Sequence, residues 1–155
     1  MADTIDARLA AAGITLPTPP TPAGSYVPAV ITGNLLYVSG QVPFGEGGLM
    51  YIGRAGDTLS TDDAIKAARQ CALNILAVAR TTLGSLDRVN RVVKVNGYVN
   101  STPDFGDHPK VINGASDLFV EVFGDAGRHA RAAIGVANLP FGVGVEVEAV
   151  LEIAP

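Results

Sequence analysis

The sequence predicts an α+β fold: a mixed β-sheet with two helices packed on one face. Two observations carry this. Strand-like runs gather at both ends of the chain, and two central stretches repeat apolar residues at three- and four-residue steps. Their order is β-β-(β)-α-β-α-β-β, with no internal repeat.

Residues 4–13 read as a short amphipathic helix with Ile5, Leu9 and Ala12 on one side and Gly13 as its stop. Leu16-Pro17-Thr18-Pro19-Pro20-Thr21-Pro22 can enter neither a helix nor a central strand, so it predicts a stiff extended arm. Either it is a plain linker or it packs on a neighbour. The division follows: residues 1–22 form the short helix and arm, and 23–155 the main domain.

Residues 27–31 and 35–41 are β-rich, joined by the hairpin turn Thr32-Gly33-Asn34. Phe44 to Gly48 reads as a flexible loop, followed by a short strand at 49–52. Ser60-Thr61-Asp62-Asp63 opens a helix, since hydroxyls cap its first N–H groups and acids suit its positive end. Ile65, Ala68, Ala72, Ile75, Leu76, Ala79 and Leu83 form its stripe and Gly84 closes it. Residues 89–99 predict a strand with Val89, Val93, Val95 and Val99 on one face. A second helix starts near Pro109, carries Val111, Ile112, Ala115, Leu118, Phe119 and Val122, and stops at Gly124. Strands at 130–137 and 143–153 end the chain. In the last, Val145, Val147, Ala149, Leu151 and Ile153 alternate with Glu146, Glu148, Val150 and Glu152.

The 155 residues fit one domain. With 48% hydrophobic and 17% charged residues, disorder is excluded, and part of the apolar surface is expected to face another subunit. A net charge of −4 counts against a nucleic-acid partner. No apolar run approaches the roughly 18 residues that span a bilayer, so no membrane partner is expected. One cysteine, Cys71, cannot form an internal disulfide. The opening residues Met1-Ala2-Asp3-Thr4 lack the pattern of a secretory signal, so the expectation is a cytoplasmic protein.

His108, His129 and Cys71 lack metal-ligand spacing, and surface or capping roles suit the histidines. The glycines at 45–48 make neither a P-loop nor a dinucleotide fingerprint, so no metal or cofactor is expected. Cys71 falls on the apolar side of a helix and reads as core. Arg131 stands before Ala132-Ala133-Ile134-Gly135-Val136-Ala137. A guanidinium entering such a strand needs an anion. From spacing alone a structural ion pair is the simpler reading, and a bound carboxylate the other. Glu146 lies beside Glu148 and Glu152 on the non-core face of the last strand, where glutamates commonly solvate a sheet.

Tyr26-Val27-Pro28, Val38-Ser39-Gly40-Gln41-Val42-Pro43, Val111-Ile112-Asn113, and His129-Ala130-Arg131 through Asn138-Leu139-Pro140 to Val145-Glu146-Val147-Glu148-Ala149 occur in this order. Together they resemble the RidA/YjgF family of imine and enamine deaminases, whose other name is L-PSP endoribonuclease and whose fold is chorismate-mutase-like. The similarity spans about residues 23–153; the proline-rich arm and the longer 44–59 loop mark a divergent branch.

The resemblance implies a homotrimer with ligand clefts between subunits, and it turns the balance for Arg131 towards ligand binding. By residue-by-residue match, Arg131 grips a substrate carboxylate and Glu146 positions or activates a water. Tyr26, supplied by a neighbouring subunit, and Asn113 line the pocket, and the backbone of Gly40 lies close to the ligand. Ala133 stands where the archetype has a cysteine, leaving only its backbone groups for binding. Asn138 replaces a residue that is often basic. The implied reaction is hydrolysis of 2-imino or 2-enamino acids, such as 2-aminoacrylate, to 2-oxo acids and ammonia. A non-catalytic carboxylate-binding or chaperone-like trimer and an endoribonuclease are the alternatives. If 131–138 and 143–150 paired as a tight hairpin, Arg131 would face position 150 and Glu146 would lie about 13 Å along the strand. Strands that are not neighbours, or separate sites, would remove that conflict.

Overall fold

The computed structural model describes residues 3–155; Met1 and Ala2, the start of the expected signal-free terminus, lie outside them. Helix α1 (Ile5–Ala11) is capped by Thr4, whose hydroxyl accepts from Ala7 N–H at 3.1 Å. Ile5 and Leu9 are buried, but Ala12 is exposed because the helix has already ended. Ile5 N–H donates to Asp87 at 2.7 Å, and Ile5, Leu9 and Leu16 all belong to the main hydrophobic cluster.

Strands β1 (Ala29–Thr32) and β2 (Leu35–Gln41) form the expected hairpin across Gly33 and Asn34. Its first strand begins later than residue 27. Segment 27–28 is instead tied to β2 through Ser39, whose N–H donates to Pro28 O at 2.9 Å and whose hydroxyl donates to Val27 O at 2.7 Å. The expected flexible loop at 44–48 is a small hairpin, β3 (Phe44–Gly45) and β4 (Gly48–Leu49). Beyond Leu49 the expected strand does not continue; Ile52 bridges Val143 instead.

Helix α2 (Thr61–Leu83) is capped by Ser60, whose hydroxyl accepts from Asp63 N–H at 3.1 Å, and Gly84 ends it at φ 80°. Its predicted stripe is buried except Ile65, which is half-buried. Cys71 is fully buried, and burial pushes its thiol pKa well up, helped by the charge of Glu146. Strand β5 (Val89–Asn100) departs from prediction at Val93, which is exposed. Two register shifts against the last strand, at 89–91 and 92–94, each insert a residue, so alternation breaks and Val92 replaces Val93 in the core.

Helix α3 (His108–Phe123) buries the whole predicted stripe. Strands β6 (Ala130–Val136) and β7 (Val145–Ile153) follow. The sheet order is β1-β2-β7-β5-β6, antiparallel except for the parallel β5–β6 pair. β6 and β7 are therefore not a hairpin: β7 crosses back to lie between β2 and β5. Helix α2 packs over β2 and β7, and α3 over β5 and β6. The other sheet face has no helix and exposes Val30, Tyr37 and Ile134.

Leu9 is 3% exposed in the shared core. Leu9→Ala is expected to lower unfolding free energy by about 2–4 kcal/mol, read by urea denaturation as one cooperative transition at a lower midpoint. An unchanged midpoint would mean that α1 is not part of the folding unit.

Candidate active site

The strand order decides what can meet. Arg131 is level with Val95, on the helix-covered side of the edge strand β6. Glu146 is level with Tyr98, and Tyr98 with Ile134, on the open face. Three rows and two strand spacings separate them, about 14 Å between backbones, on opposite faces. Within one chain they belong to two clusters.

The first cluster is built on α3 and β6. Arg131 Nη1 donates to Asn113 Oδ1 at 2.7 Å and Ser116 Oγ at 3.2 Å, and Nη2 donates to Pro109 O at 3.3 Å. All three acceptors are neutral, and among the described residues Arg131 forms no ion pair. Three of its five donors are used, which leaves Nε–H and one Nη2 hydrogen for a carboxylate. Ser116 Oγ also lies 2.8 Å from His129 Nε2, whose Nδ1 is 2.6 Å from Gly127 O. That carbonyl requires Nδ1–H, so Nε2 accepts from Ser116 and the hydroxyl oxygen is free to receive Arg131. Burial lowers the His129 pKa and the nearby Arg131 charge adds to this, which keeps the ring neutral. Ser116 and His129 were missed as site residues; Ser116 sits three residues from Asn113 on one helix face, a readable signal. Ala133 continues the same face of β6, opposite Gly97.

The second cluster lies across β2 and β7. Between Val38 and Gln41 strand β2 bulges by one residue. A Cβ on Gly40 would collide with Glu146 Oε1, so glycine is what lets that carboxylate lie against the strand. Burial raises the Glu146 pKa, and Glu148 adds repulsion. Glu148 is itself occupied, accepting from Tyr98 at 2.7 Å and Asn96 at 3.0 Å, and that bond is the main reason the Tyr98 pKa is pushed up to about 12. Beside Gly40 is an apolar cavity of about 260 Å³ lined by Tyr26, Pro28, Phe44 and Phe141 and walled by the proline arm at 20–23. Phe141 is 71% exposed and holds φ 60°, a strained conformation for a non-glycine residue. Thus Tyr26, Gly40 and Glu146 come together, as do Arg131 and Asn113, while the two groups stay apart. Among the described residues no three metal-binding side chains cluster, and no helix is long and apolar enough to cross a membrane.

Residues 6–148 match the family model described as "YjgF/chorismate_mutase-like, putative endoribonuclease". The chain belongs to this family. Protein TCP17 of Trypanosoma cruzi is 48% identical over 150 residues, covering 96% of this chain and 94% of the relative. A 2-iminobutanoate/2-iminopropanoate deaminase of Dermatophagoides farinae is 30% identical over 145 residues, covering 90% and 94%. A solved structure from Shewanella oneidensis MR-1 superposes with TM-score 0.94 at 34% identity, covering 97% of this chain and all of that one. The YjgF gene product of E. coli gives 0.64 at 26% identity, covering 87% and 93%. Coverage of 97% includes α1, so the N-terminal extension is shared with some members of the YjgF family.

The Gly40–Glu146 contact yields a prediction. In side-chain carboxyl NMR titrations Glu146 should titrate above an ordinary glutamate, and Gly40→Ala, which drives the carboxylate outward, should bring it back towards 4.5. An unshifted wild-type resonance would contradict the assigned environment.

Proposed function

We propose that this protein hydrolyses 2-imino and 2-enamino acids, such as 2-aminoacrylate, to 2-oxo acids and ammonia, in clefts formed where copies of the chain meet. The observation that carries the reading is the guanidinium of Arg131, held in place by neutral acceptors with donors to spare and no acid of its own. That arrangement suits an incoming carboxylate.

The opposite faces of Arg131 and Glu146 make a second copy necessary. In the homotrimer that the sequence resemblance implies, the β6 edge of one copy would meet the open face of its neighbour, joining Arg131 and Asn113 to the neighbour's Tyr26, Gly40 and Glu146. The exposed Val30, Tyr37 and Ile134 on that face favour such burial. Cys71, buried and unpaired, fits the cytoplasmic setting expected from the sequence.

The chemistry follows. The enamine tautomerises to the imine, whose carboxylate Arg131 holds. Glu146 takes a proton from water as its oxygen bonds to the C=N carbon, and passes that proton to the nitrogen. In the resulting carbinolamine Glu146 takes the hydroxyl proton as the carbonyl forms and returns it to the nitrogen, which leaves as ammonia. A carboxyl with a raised pKa suits giving back the proton it takes. Ala133, lacking the archetype's sulfur, keeps alive the alternative of a carboxylate-binding trimer without turnover. The net charge of −4 speaks against the endoribonuclease.

Loss of 2-aminoacrylate, made from serine by a PLP-dependent dehydratase, tests this. Wild type should accelerate it, and Arg131→Ala should lose about one to two decades of rate, the worth of a charged hydrogen-bonded contact. The wild-type rate should rise with pH through a value above the ordinary glutamate range, and Glu146→Gln should abolish that rise. Acceleration that survives in Arg131→Ala would sink the assignment.

A further inference from the structure

Helix α3 joins two parallel strands, so β5, α3 and β6 form a βαβ unit. In parallel sheets ligands collect beyond the carboxyl ends of the strands, where a helix N-terminus directs unpaired N–H groups. Here that place holds a hollow of about 350 Å³. Ser101 stands just past β5, Val136 ends β6, and His108 begins α3, all lining it. Arg54 closes it from a loop pinned across the strand end by Ala55 N–H to Asn100 O at 2.8 Å and Thr102 N–H to Ala55 O at 3.0 Å.

Arg54 has a cation and no counter-charge. Among the described residues its guanidinium makes no hydrogen bond and no ion pair; its one side-chain partner, Thr58, is met through the backbone N–H. Its Nε is shielded from solvent and has no acceptor. A screened donor on a cation is costly until an acceptor arrives. The acids of the adjoining loops do not serve it: Asp57, Asp104 and Asp107 form no ion pair with Arg54. Helix α3 opens at Asp107 with no side-chain cap hydrogen bond, so its first N–H groups are not satisfied by a capping side chain. Ser101 Oγ and His108 Nε2, 3.1 Å apart, line the same hollow. A Cβ at Gly135 would strike both, so the glycine keeps them there. Arg131 lines a different hollow, with Asp117, Arg128 and His129.

We propose that this hollow is a second ligand site, binding the oxyanion group of a small organic molecule through Arg54, Ser101, His108 and the α3 N-terminus. Phosphate and carboxylate share that chemistry. The volume exceeds what an oxyanion alone fills, and Pro103, Phe105 and Val136 offer an apolar wall to the rest of the molecule.

Calorimetric titration with inorganic phosphate and, separately, with acetate tests the site in the Arg131→Ala protein, where the proposed carboxylate clamp is gone, and the tighter anion names the source. With that clamp removed, the protein that keeps Arg54 should bind, while Arg131→Ala with Arg54→Gln should bind at least about tenfold more weakly and Arg131→Ala with Arg54→Lys should fall between. Thermal denaturation shows whether the variants are folded: anion should raise the midpoint of Arg131→Ala but not of Arg131→Ala with Arg54→Gln. Equal binding by Arg131→Ala with and without Arg54→Gln, or no binding of either anion by Arg131→Ala, would overturn the proposal. So would dissociation of the Arg54→Gln oligomer with anion affinity unchanged, which would assign the guanidinium to an acid of a neighbouring copy.

Discussion

Strand β7 occupies the centre of the sheet, hydrogen-bonded to β2 on one side and β5 on the other. Its alternation sends Val145, Val147, Ala149, Leu151 and Ile153 into the core under α2 and leaves Glu146, Glu148 and Glu152 on the open face. That one insertion sets much else. It joins the N-terminal hairpin to the βαβ unit, pushes β6 to the edge, and so brings Arg131 to a border of the sheet. It also fixes Glu146 beside the β2 bulge, where Gly40 makes room for the carboxylate.

In the proposed reaction a border arginine and an open-face glutamate are incomplete alone. A guanidinium held by an amide, a hydroxyl and a carbonyl is oriented without being neutralised, and Coulomb attraction to a bound carboxylate is strongest where no acid is already paired with it. A glutamate pressed against backbone and repelled by Glu148 is an acid whose proton is easier to keep and return. Each half has the polarity the other lacks. The uncovered apolar face offers a reason for copies to associate that does not depend on the reaction.

What was legible in the sequence was local. Ser60 and Gly84 bracket α2 because capping is decided within a turn, and the stripes of α2 and α3 are read from a fixed period. The resemblance carried the members of each cluster, but not their separation. Whether Arg131 meets Glu146 depends on strand order, which β6 and β7, adjacent in sequence, conceal. Val93 was misplaced because one bulge shifts the alternation and a second restores it, so only the residues between them change face while composition is untouched. Ser116 and His129 escaped because their role lies in a hydrogen-bond chain that crosses from α3 to the loop before β6.

Arg54 and Arg131 illustrate the same limit from the side of charge. Both stand on or beside the βαβ unit, and the sequence pattern that marks Arg131 says nothing of Arg54. One finds three acceptors within hydrogen-bond reach, from α3; the other finds none, though its Nε is screened from water. Stability alone would favour a guanidinium left in solvent or matched by an acid. An arginine kept in neither condition, at the place where a parallel strand pair and a helix N-terminus converge, is accounted for by an anion arriving from outside the chain.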